Sequence, residues 1–181
     1  CRAPRVIVAR RINQSAREMQ ADVYLPYADD CVCLSPLWEE VTARCHAKVH
    51  AFSWYEYADP MNVTMLSVTH RWVEAVGYLL SEYFPFWMAD TWIQEQHAFA
   101  TAQPIAIVKQ LQFAGRRGKT KQLNDVRFWF EFFAAKRPER IEEARKIRKA
   151  LGFEHIEDGS LKGYIDAFEA RDRGQIDASP K

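Results

Sequence analysis

The stretch ADVYLPYADDCVCLSPLWEE, residues 21–40, decides how the chain is read. Asp22 to Tyr27 is rich in β-branched and aromatic residues, which predicts a strand. Pro26 suits the end of a strand better than its centre. Two adjacent aspartates, Asp29 and Asp30, follow at once. Two carboxylates a few ångströms apart repel by about 4 kcal/mol at an effective dielectric near 20. Such a pair either splits its pKa values or recruits a cation. Hard ions such as Mg²⁺ or Mn²⁺ take oxygen ligands and keep positions open for phosphates. Ligands of open α/β sheets bind beyond the carboxyl ends of strands, where this pair is expected. The ordinary alternative is a solvated turn, because Asp is common in turns.

Outward from that stretch, strand and helix patterns alternate. VIVA (6–9) reads as a short strand and NQSAREMQA from Asn13 as a short helix. SPLWEEVTARC reads as a helix with Ser35 as N-cap and Pro36 at the first helical position. AKVHAFSWY (47–55) alternates like a strand, and MLSV is short and extended. A helix from Thr69 is expected to end near Gly77, and another starts near Asp90. PIAIVKQLQF (104–113) reads as a further strand. KQLNDVRFWFEFFAAKR and PERIEEARKIRKALG read as helices, the second with Pro138 at its first position. Residues 151–181 form a polar tail with one helix pattern around Leu161 to Ala170. Strands separated by helices predict an α/β fold with a mixed, mostly parallel sheet flanked by helices.

The 181 residues are 48% hydrophobic and 27% charged, the balance of a globular domain. A net charge of +1 gives no global drive toward nucleic acid or anionic lipid. No run of about 18 apolar residues predicts a membrane span. The four cysteines, Cys1, Cys31, Cys33 and Cys45, are too few and too irregular for a disulfide framework, so a cytoplasmic setting is expected. The start CRAPRVIVARR has neither an initiator Met nor a signal-peptide core.

Three further constellations carry chemistry. Cys31, Cys33, His46 and His50 approximate a zinc-finger spacing, with both histidines on one face if the segment is helical; C-x-C is shorter than the usual head. FAGRRGKT (113–120) ends like a phosphate-binding loop but has Phe113 in place of the first glycine, so the P-loop reading is rejected. It leaves Arg116, Arg117, Lys119 and Lys121 as a cationic loop able to hold a diphosphate as it gains charge. In FPFWMADTWIQEQ, Asp90 is expected to cap a helix amid Phe84, Phe86, Trp87 and Trp92. A carboxylate fenced by aromatics is also a candidate base, and exposed rings there suit stacking on sugars.

In this order the motifs resemble the GT-A glycosyltransferase fold, and more narrowly the glycosyltransferase-like domains of phage and bacterial proteins. YADDCVCLSPLWEEV is similar to that group's strand, acidic pair and helix start. ADPMNVTMLSVTHRWVEAVGYL is similar to its loop, strand and helix. FWMADTWIQEQ resembles its D-x-W helix near the acceptor. GRRGKTKQLNDVRFW resembles its late G-K…D segment, with Asp125 in the matching place. The resemblance covers roughly residues 5–150. It implies a nucleotide-sugar donor and a divalent cation, Mn²⁺ or Mg²⁺, held by Asp30 with Asp29 beside it. It implies Asp90 as the acceptor-side carboxylate and Arg116, Arg117 and Lys119 on the phosphates. The chain departs from the family in two places. Gln110 and Gln112 stand where a late histidine is usual, and only RVIVARR stands where the opening nucleotide-binding unit is expected. Either that segment is a remnant of the unit or the chain is the C-terminal part of a longer protein. The alternative implied is a non-catalytic α/β module descended from such an enzyme; a small zinc protein is a third reading.

Overall fold

The computed structural model describes residues 8–26, 31–33, 36–55, 63–84, 88–108, 111–113 and 126–179. Helix α1 covers Val8–Glu18. Val8 and Ala9, expected in a strand, are therefore helical. The buried positions Ala9, Asn13 and Ala16 recur at helical spacing, and this periodicity outweighs the short β-branched run. Asn13 fixes the helix to the chain beyond it. Its amide donates to the Leu80 carbonyl at 2.8 Å and accepts from the backbone of Leu79 and Leu80 at 2.9 and 2.8 Å.

Strand β1 is Val23–Tyr24 and β2 is Cys31–Cys33. Helix α2 runs Leu37–His46, with Pro36 in the cap position, one residue earlier in the helix frame than expected. Residues 47–50 do not join the next strand. The amides of Ala47, Lys48 and Val49 bond back to Ala43, Cys45 and Arg44, with Lys48 left-handed at φ 55°, so they close the helix. Strand β3 accordingly starts only at Ala51 and ends at Tyr55.

Strand β4 is Thr64–Thr69, helix α3 is His70–Val76, and Gly77 caps it at φ 85°. Helix α4 is Ala89–Thr101. The expected strand 104–113 is split into β5 (Ala106–Ile107) and β6 (Leu111–Phe113), which belong to different sheets. Helices α5 (Val126–Ala135) and α6 (Arg137–Leu151) follow. A 3-10 turn, Asp158–Leu161, leads into α7, Lys162–Ala178.

The larger sheet has the order β1-β4-β3-β5. Both β1 and β3 run antiparallel to β4, and β5 runs parallel to β3. Three strands thus share one direction, but β4 is inserted against them, so among the described pairs only β3–β5 is parallel. The sheet is mixed rather than mostly parallel. β2 and β6 form a separate antiparallel ribbon.

Both faces of the sheet are covered. Phe52, Trp54 and Met65 turn one way, toward Leu37 and Val41 of α2. Ala51, Leu66 and Val68 turn the other way, into the main core with Ile93 and Phe99 of α4. This is the period-two alternation of strands covered on both sides. Helix α4 is buried nearly all round, polar residues included. Its Glu95 is fully buried and meets Arg140 at 2.6 Å and Arg171 at 2.5 Å. Arg137 joins them and pairs with Asp172. The Arg140 guanidinium lies 3.9 Å from the Phe133 ring centre. The segment after residue 151 is docked as well: Leu161 and Phe168 are in the main core, and Phe168 meets Phe99 edge to face. Among the described residues, no helix is long and apolar enough to cross a membrane.

Candidate functional site

β1, β3 and β5 all run toward the end of the sheet where β4 begins, but of the three only β3 reaches it: Tyr55 is the register partner of Thr64, whereas β1 stops at Tyr24, opposite Val68. Asp90 belongs to this end. Its Oδ2 accepts a hydrogen bond from Thr64 Oγ1 at 2.7 Å. The backbone N–H groups of Met65 and Leu66 also donate to it.

Asp90 is not the expected N-cap. Met88 holds that position, left-handed at φ 62°, and Asp90 sits in the first turn of α4. Its carboxylate reaches across to the strand instead. Met65 is left-handed at φ 54° inside β4. That conformation is unusual for a side-chain-bearing residue and costs about 1–2 kcal/mol. The reward is that two consecutive amides face one carboxylate.

The electrostatics of Asp90 are a contest. Some surface of the residue remains accessible, but the carboxyl group is enclosed. Loss of solvent pushes its pKa above 3.8, and the bonds from Thr64, Met65 and Leu66 pull it down. Burial wins, so Asp90 is a carboxylate of raised basicity.

The aromatic fence differs from the expectation. Phe84 and Trp92 are fully buried and pack with Phe133, Trp129 and Phe132. They cannot stack on a sugar. The Trp92 indole N–H donates to Tyr78 Oη at 2.9 Å and to Glu143 Oε2 at 3.0 Å, and Gln96 bonds the same two groups. Phe86 and Trp87 lie outside the described residues. Exposed rings occur nearby at Tyr83 and Phe128.

Asp29, Asp30, Arg116, Arg117 and Lys119 lie outside the described residues, as do Gln110, Lys121 and Asp125. Their described neighbours are informative. Cys31, bonded to Asp30, is the register partner of Phe113, the last described residue before the basic stretch. Paired Cα atoms of an antiparallel ladder are about 5 Å apart.

The zinc-finger spacing does not produce a finger. His46 ends α2, and His50 lies beyond the turn that closes it, with Nδ1 3.1 Å from Thr69 Oγ1. The two histidines share no helix face. Among the described residues, no group of three or more His, Cys, Asp or Glu is placed to hold a metal ion.

Sequence reasoning missed Thr64 and the turned amides of Met65 and Leu66. Nothing in NVTMLSV signals them, because left-handed backbone is expected at glycine or asparagine rather than methionine. No protein-family model matches the chain, and neither a curated protein nor a solved structure does.

Proposed function

We propose that the protein is a metal-dependent glycosyltransferase of GT-A type, transferring a sugar from a nucleotide-sugar donor to an acceptor hydroxyl. The observation that carries this reading is the Cys31–Phe113 pairing. It sets the chain flanking the acidic pair beside the chain flanking the basic stretch. In sequence, the acidic pair directly precedes one strand of this ribbon and the basic stretch follows the other. Asp29 and Asp30 offer hard oxygen donors, the set that Mg²⁺ or Mn²⁺ takes. When bound, the cation would neutralise charge gathering on the departing diphosphate.

Reach supports a shared site with Asp90. From Val68, the partner of Tyr24, to Thr64 is about 14 Å along β4. The five residues from Tyr24 to Asp29 span at most about 17 Å. In this reading Asp90 is the acceptor-side carboxylate: its raised pKa suits a proton acceptor, and the acceptor hydroxyl has to displace the Thr64 hydroxyl to reach it. Arg116, Arg117 and Lys119 hold phosphate oxygens.

A second reading is favoured by the ligation of Asp90 itself. Three donors to one carboxylate are also what a structural clamp on a bent strand needs, as in a module without catalysis. Thermal unfolding separates the two. The enzyme is stabilised by UDP- or GDP-sugars in the presence of Mn²⁺ and not without it. No shift with any donor, with or without Mn²⁺, favours the module.

A further inference from the structure

At the opposite end of the sheet, where β3 and β5 begin, a cleft of about 290 Å³ opens among five segments. Lys48 and His50 enter from the turn after α2, Trp72 from α3, His97 from α4, Pro104 from the run into β5, and Phe153 and His155 from beyond α6. Two imidazoles form its inner wall. His97 is buried and lies parallel to Trp72, ring centres 6.3 Å apart. His50 is half-buried and meets Phe153 edge to face at 6.4 Å.

The charge balance of this cleft is one-sided. Among the described residues, its lining holds one ammonium and three imidazoles and no carboxylate. Arg71 acts on His50 from α3, and its guanidinium reaches the Ala150 carbonyl rather than an acid. Of the acids on the neighbouring elements, Glu74 pairs with His70 and Asp158 with Arg145 and Arg148, while Glu154 and Glu157 flank the lining segment at exposed positions and do not line the cleft. Loss of solvent and the Arg71 charge lower the pKa of His50. Burial takes His97 down to about 4, partly offset by its bond to the Gln103 carbonyl and deepened by His50. Positive charge is thus present at the mouth, while burial first, and neighbouring positive charge second, disfavours the protonated form of the inner imidazoles.

We propose that this cleft binds a small oxyanion, a carboxylate or phosphate, between Lys48 and His155 at the mouth and the paired imidazoles inside. An arriving anion supplies the missing negative charge, and the imidazoles then hold protons more readily. Trp72, Phe153 and Pro104 form apolar walls for a small organic body attached to the anion. The site is remote from the Asp90 end and does not depend on the transferase reading.

The test is imidazole NMR of the full chain, titrated separately with inorganic phosphate and with acetate. Saturable shifts of His50 and His97, with an upward move of both titration midpoints, are expected with at least one probe. A response to phosphate alone or to acetate alone assigns the head group. Lys48→Asn keeps a residue that tolerates the left-handed turn and should weaken binding about fivefold or more. His155→Gln, at an exposed position, should weaken it in the same direction. Asp90→Asn, at the far end of the sheet, should leave it unchanged. Imidazole resonances that stay unmoved by millimolar amounts of both probes overturn the proposal, as does unaltered affinity in both mouth variants.

Discussion

Asp90 accepts the Thr64 hydroxyl at 2.7 Å, which ties the first turn of α4 to the first residue of β4. Of the residues proposed for the transferase site, Asp90 is the one among the described residues, and the bond joins it to the scaffold while opposing the effect of burial on the carboxyl group. Removing it in Thr64→Val should move the Asp90 midpoint further up, as read by carboxyl ¹³C NMR. A downward move would mean that the hydroxyl does not stabilise the ionised form.

The raised Asp90 pKa has a signed consequence for stability. In the unfolded chain the group titrates near 3.8; folded, it holds its proton to higher pH. Between those values the native state binds more protons, so stability falls as pH rises. Stability relative to Asp90→Asn should therefore be greatest below pH 3.8 and decline through the folded midpoint. Urea unfolding across that range measures it. A difference that grows with pH would contradict the burial of this carboxylate.

His97 acts with the opposite slope. Its pKa falls from 6.5 to about 4, so the unfolded chain takes up the proton first as pH drops. The contribution is complete above 6.5 and is lost toward 4, about 3 kcal/mol in all. A His97→Gln variant should show a flatter stability profile over that window than the parent chain. Parallel profiles would remove the assignment.

Glu95 offers a test of the core rather than the site. It faces Arg140 and Arg171 within a buried cluster that includes Arg137. Glu95→Gln leaves these cations short of one negative charge and should cost about 3–5 kcal/mol in denaturant unfolding. Arg140→Met should cost less, because its side chain already packs on the Phe133 and Trp92 rings.

Legibility in the sequence followed the range of the forces involved. The helix ending at Gly77 could be read because a left-handed cap needs no distant partner. The alternation of AKVHAFSWY is visible too, but its first four residues, 47–50, lie in and just after the closing turn of α2, and β3 starts only at Ala51. PIAIVKQLQF could not be divided in advance, since β5 pairs with β3 while β6 pairs with β2. The inserted direction of β4 is likewise a property of pairing and not of composition. At the site, Asp90 was identifiable from its aromatic surroundings, yet those rings proved to be core. Its real partners, Thr64 and two backbone amides, carry no signature in a single sequence.

In the proposed site a divalent cation held by Asp30 would meet the diphosphate of the sugar donor. The decisive experiment is calorimetric titration of UDP- and GDP-sugars in the presence and absence of Mn²⁺, for the parent chain and for Asp30→Ala. Binding that requires Mn²⁺ and disappears in Asp30→Ala is the predicted result. Donor binding that is independent of the cation, or that survives the substitution unchanged, would contradict it.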